Sequence, residues 1–100
     1  MRFNYDGVIG EIDNLPGCDQ IAVSHNVWLN HNLRGEGRGK NAHKNRLDTM
    51  QFLGYNYTIC TVDMKNEAQL HILETNGWKK FDEFKSSKTG NTVGIFGRKL

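Results

Sequence analysis

Three glycines at alternate positions, Gly35, Gly37 and Gly39, stand between the cationic side chains Arg34, Arg38 and Lys40. Such a stretch is suited to holding an anion. Glycine reaches positive φ without strain and lets an oxyanion approach the main-chain N–H groups closely. Residues 40–53 follow and can be helical. The first turn of a helix presents N–H groups without internal partners at the positive end of its dipole. Five cations, Arg34, Arg38, Lys40, Lys44 and Arg46, face the single acid Glu36 there, a local +4 in a chain of net charge +2. The stretch reads as a cradle for a pyrophosphate, with the positive field concentrated on it. It is not a Walker A loop: the glycine interval is one residue short of G-x-x-x-x-G-K-[ST], and Asn41 follows Lys40 where a hydroxyl would hold magnesium. Nor does G-x-G-x-G match the G-x-G-x-x-G turn of dinucleotide-binding folds.

The elements that must position this stretch are legible from pattern. Asp6-Gly7 is a two-residue turn signal between strands at 2–5 and 8–12. Residues 13–19 read as a loop turned by Pro16-Gly17. Residues 20–29 alternate, with Ile21, Val23, His25, Val27 and Leu29 on one face and Ala22, Ser24, Asn26 and Trp28 on the other, which predicts a strand. In the helix over 40–53, Ala42, Leu47, Met50 and Leu53 make an apolar stripe into which His43, Asn45 and Arg46 intrude; Gly54 caps it. A strand follows at 55–62, then a turn over 63–66. A helix over 67–75 has Ala68, Ile72 and Leu73 facing inward and ends at Asn76-Gly77. Strands at 78–84, with apolar Trp78, Phe81 and Phe84, and at 92–100 form a closing hairpin. The order β-β-β-α-β-α-β-β predicts an α+β domain, a mixed and mainly antiparallel sheet with helices packed on it. One hundred residues make a single domain over 1–100. A chain this short buries only about 60–65% of its unfolded surface, so a ligand or a homodimer contact would add stability.

Two further observations give the glycine stretch a family context. Arg34, Gly37 and Gly39 form R-x-x-G-x-G, which resembles motif A of the GNAT superfamily, the acetyl-CoA-dependent N-acetyltransferases. Downstream, a strand ending in Val62 precedes Asn66, Gln69, Leu73, Gly77 and Trp78, which occupy the places of that family's N-x-x-A-x-x-x-Y-x-x-x-G-F pattern. The resemblance covers about residues 21–100, and it implies a short member lacking most of the usual N-terminal elements. It further implies that the strand before the glycine turn bulges and splays from the next one, and that the gap takes the pantetheine arm like an added strand. Backbone at Val27, Trp28 and Leu29 would then face the pantetheine. Arg34, Gly35, Gly37, Arg38, Gly39 and Lys40 would hold the pyrophosphate, and Asn66 would bond the pantetheine or the adenine-side arm, or serve only as a helix N-cap.

The activity so implied is direct transfer of acetyl from acetyl-CoA to an amine of a protein or small molecule. That chemistry needs a base near neutrality and an N–H donor for the oxyanion. His25 is the candidate base and His31 a candidate proton relay. Glu11 and Asp13 would attract a cationic amine. Leu73 stands where the family often has a tyrosine acid, a departure that favours a second reading: a catalytically reduced scaffold binding a protein partner, with or without CoA. A nucleic-acid binder using the +4 segment with Trp28 or the tyrosines as stacking platforms ranks lowest, because it leaves the glycines unexplained. The histidines and cysteines show no zinc-finger spacing, so no metal is expected. Cys60 is expected in the core and His71 on a helix surface. Two cysteines without C-x-x-C, no signal-like N-terminus and no apolar run near the ~18 residues of a membrane span predict a cytoplasmic protein.

Overall fold

The structure, a computed structural model, describes residues 1–29 and 38–100, with the backbone alone for 26–29 and 38–39. Its elements run β1 (Arg2–Tyr5), β2 (Val8–Leu15), β3 (Cys18–Leu29), α1 (Arg38–Phe52), β4 (Tyr57–Asp63), α2 (Glu67–Thr75), β5 (Lys79–Lys85) and β6 (Thr92–Lys99). The order is the expected one. Among the described residues the strands form a six-stranded sheet, β1-β2-β3-β4-β6-β5, in which only β3 and β4 run parallel.

Local chemistry explains the boundaries. Asp6 and Gly7 have φ of 50° and 85°, so the first hairpin turns through two left-handed residues as an Asp-Gly pair permits. The expected loop over 13–19 is shorter than its composition suggests. β2 extends to Leu15 and β3 starts at Cys18, because Pro16-Gly17 alone makes the turn. Helix α1 ends with Gly54 at φ 92°; Gly54 N–H donates to the Gln51 carbonyl and Tyr55 N–H to that of Met50. Helix α2 ends in the same way at Gly77, whose successor Trp78 donates its N–H to the Leu73 carbonyl. Both are Schellman caps.

Register sets Phe3, Val8, Ile12, Ala22, Ser24, Thr58, Val62 and Phe96 on one sheet face, and all are buried. One apolar cluster joins this face to Ala42, Leu47 and Met50 of α1 and Leu73 of α2. The inward expectations for Leu53 and Ala68 change, and two apolar residues of the closing hairpin lie at the surface. Leu53 lies beyond the end of α1 and is exposed, Ala68 is exposed while Leu70 packs against the core, and Phe81 and Phe84 are exposed on the edge strand β5. The interruptions His43 and Arg46, in contrast, are buried on the inner face of α1.

Candidate active site

Two irregularities of β3 make the site. The first is a bulge. Glu11 pairs with His25 and Ile9 with Trp28, so two steps of β2 face three of β3, and β3 carries one extra residue there. The simple alternation that put His25, Val27 and Leu29 on one face is broken at this point. In the resulting register, Trp28 pairs with Ile9 and Leu29 with Val8.

The second is a parting of strands. β3 and β4 pair at only three positions, Ile21 with Tyr57, Ala22 with Thr58 and Val23 with Ile59. The Asn56 N–H donating to the Gln20 carbonyl closes the narrow end. Beyond Val23, β3 continues to Leu29 and β4 to Asp63 without pairing to each other. β4 remains bonded along its whole length to β6 on its other edge. Between the parted strands lies a cleft of about 210 Å³. Ser24 and His25 line it from β3, Cys60 to Asp63 from β4, Arg46 from α1, and Asn66 and Gln69 from the start of α2.

His25 faces away from the helices, in the direction of β2. Its Nε2 lies 2.6 Å from Asp13 Oδ2 and 3.6 Å from Glu11 Oε2. A carboxylate only accepts, so Nε2 donates to it, which leaves Nδ1 as the acceptor nitrogen of the neutral ring. The His25 bond and the N-terminal amine hold the Asp13 carboxyl below its usual range. Glu11, Asp13 and His25 bring one potential ligand atom each within 4.8 Å of one another, a gathering that sequence spacing did not suggest. Hydrogen bonds from the Lys65 N–H and the Asn91 amide, at 2.9 Å each, keep Asp63 low as well.

Asn66 is the N-cap of α2, its Oδ1 accepting from the Gln69 N–H at 3.2 Å, and it also lines the cleft. The two expectations for this residue are thus compatible. Arg38, Gly39 and Lys40 form the first turn of α1, which begins two residues earlier than its periodicity suggests. The backbone of 27–29 belongs to the bulged end of β3. His31, Arg34, Gly35 and Gly37 lie outside the described residues, in the connection between β3 and α1. Leu73, at the position of the family's tyrosine, is fully buried in the core and does not line the cleft.

Sequence reasoning treated two buried residues only as blemishes in a helix. His43 is 2% exposed and Arg46 is 3% exposed. Trp78 donates its indole N–H to His43 Nε2 at 2.9 Å, and the Arg46 guanidinium stands 2.8 Å from His43 Nδ1. Burial, then the positive charge of Arg46, pushes the His43 pKa down to about 3. Burial also lowers Arg46 to about 10 and raises the Cys60 thiol to about 12. The signal in the sequence was their spacing: positions 42, 43, 46, 47 and 50 trace one helical face.

No family model matches the chain, and no curated protein is similar to it in sequence. Solved structures are similar to it in fold. The NatC complex bound to Gag peptide and CoA superposes with a TM-score of 0.80 at 16% identity, over 93% of this chain and 59% of that one. An acetyltransferase of the GNAT family from Streptococcus pneumoniae gives 0.77 at 14% identity, over 93% and 57%. The structure of yncA from Salmonella typhimurium with its cofactor acetyl-CoA gives 0.82 at 11% identity, over 94% and 58%. The chain thus spans less than two thirds of the length of each of these. These superpositions show that the chain has the GNAT acetyltransferase fold.

Proposed function

We propose that the chain acts as an N-acetyltransferase, transferring acetyl from acetyl-CoA to an amine by direct attack. The observation that carries this is the parting of β3 from β4 after three paired positions. Two strand edges that face each other without bonding leave main-chain donors and acceptors for an extended amide-bearing ligand, and pantetheine has that character. The similarity in fold to structures bound to CoA and acetyl-CoA supports the same ligand.

In this reading, the segment Arg34–Lys40 receives the pyrophosphate, with Arg38, Gly39 and Lys40 opening α1. The bulged backbone at Val27–Leu29 offers an N–H to the developing oxyanion, the task for which a pre-positioned donor is most effective. His25 takes the amine proton at Nδ1 while Asp13 fixes the ring through Nε2. Glu11 and Asp13 draw a cationic amine toward the exposed face of the sheet. His31 remains a proposed relay.

Leu73, buried and without a hydroxyl where the family often has a tyrosine acid, favours a second reading, a scaffold without turnover that binds a protein partner with or without CoA. One experiment separates the two. Acetyl-CoA should raise the melting temperature under the first reading, and under the second where the scaffold keeps CoA, and Gly37→Glu should abolish that shift. Acetylated amine, detected by intact mass over a panel of peptides and small amines, should form only under the first reading. Retention of the acetyl-CoA shift in Gly37→Glu would remove the cradle, and His25→Ala with unchanged turnover would remove the base.

A further inference from the structure

Among the described residues, no carboxylate pairs with the cation at the interior end of the cleft. Arg46 is 3% exposed, lines the cleft, and has no hydrogen-bond partner for its Nε. Its one described bond, to His43 Nδ1, is compromised. Trp78 can only donate, and it donates to Nε2 of the same ring. A neutral imidazole accepts at one nitrogen and carries a proton on the other, so it cannot accept from both neighbours. Asp63, the acidic residue lining the cleft, is already occupied by the Lys65 N–H and the Asn91 amide. Ser24 lines the cleft too, is 5% exposed, and has no partner for its hydroxyl. A buried unpaired charge and an unpartnered hydroxyl are each unfavourable unless a ligand completes them.

We propose that Arg46 and Ser24 form a binding site for a small carboxylate at the inner end of the cleft. A guanidinium presents its N–H groups in a fork that matches a carboxylate, and the serine hydroxyl adds a third donor. The anion is not the pyrophosphate. Arg46 is eight residues beyond the start of α1, about 12 Å along the helix from the turn that opens it. The inference rests on the acyl-CoA reading and deepens it to a substrate class. The carboxylate belongs either to the far end of a dicarboxylic acyl thioester, such as a succinyl group, or to an amino-acid acceptor. The transfer step is the same in both. The amine nitrogen bonds to the thioester carbonyl carbon, the C–S bond breaks, the amine proton goes to His25 Nδ1, and CoA leaves as a thiolate that takes a proton from water.

Calorimetric titration of the full chain tests this. CoA, butyryl-CoA and succinyl-CoA form one arm; alanine and alaninamide, added to the CoA-saturated protein, form the other. The expected result is tenfold or greater preference for the carboxylate-bearing member in one arm, which identifies the source. Arg46→Met should reduce that preference to less than twofold and Ser24→Ala should reduce it several-fold; because the ratio is read within each variant, a general change in affinity cancels. Equal binding of both members in both arms, with CoA still bound, overturns the carboxylate site and leaves the acyl-CoA reading standing. A preference that survives in both variants also overturns it. Failure of CoA itself to bind overturns the two together.

Discussion

Replacing Arg46 by methionine should stabilise the protein, and the size of the effect can be worked out. Desolvation takes the Arg46 pKa from 12.5 to about 10, with Cys60 opposing slightly. The fall is about 2.5 units, and each unit is about 1.4 kcal/mol of preference for the neutral form in the folded state. At neutral pH the side chain stays charged, so folding carries a penalty of about 3 kcal/mol for burying it. The sign follows from linkage: a base whose folded pKa is lowered penalises the fold at every pH below that value. Methionine keeps much of the aliphatic stem and leaves no charge. The lost contact to His43 returns about 1 kcal/mol. Its loss is softened further, because the ring's donor conflict with Trp78 disappears. The net expectation is a gain of about 2 kcal/mol, in line with the general finding that buried charges are often replaceable by apolar groups of similar volume. In a domain of this size, 1 kcal/mol is roughly 4–8 °C in melting temperature. Urea denaturation of both proteins at pH 7, without ligand, measures it. A loss of more than about 1 kcal/mol would refute the reasoning, since it would mean that Arg46 already has an anionic partner, and the proposed carboxylate site would fall with it.

Other outcomes follow from the same interior. His43 has its pKa lowered from 6.5 to about 3, so it is neutral in the fold and protonated first in the unfolded chain. Stability should be fully present above pH 6.5 and decline as pH falls toward 3 at up to about 1.4 kcal/mol per unit; His43→Asn should flatten that slope in denaturation midpoints measured across this range. Cys60, raised to about 12, should resist iodoacetamide at pH 8 in the native protein and react once urea unfolds the chain, with site occupancy read by peptide mass. Asn66→Ala should cost about 1 kcal/mol through the lost cap on the Gln69 N–H, and should also weaken acetyl-CoA binding if the residue touches the pantetheine; Asn66→Asp keeps the cap and separates the two effects.

What the amino-acid sequence determined by itself were the features with local causes. The Asp6-Gly7 hairpin, the caps at Gly54 and Gly77, the helix over 67–75 and the element order follow from turn chemistry and periodicity acting over a few residues. The glycine stretch and the Asn66 pattern pointed to the fold before any strand was placed. Tertiary structure alone decided where β3 leaves β4, since that parting depends on which edges are bonded across the sheet and not on the composition of either strand. It alone joined His25 to Asp13 and Glu11, twelve and fourteen residues away, through the antiparallel register of β2 and β3. It also reversed the meaning of His43 and Arg46. In sequence, they looked like polar interruptions of an apolar stripe, because hydrophobicity is scored one residue at a time. In the fold, the stripe is the buried face of α1, and whatever lies on it is desolvated; the indole of Trp78, thirty-five residues later, holds His43 there, and the cleft gives Arg46 its opening.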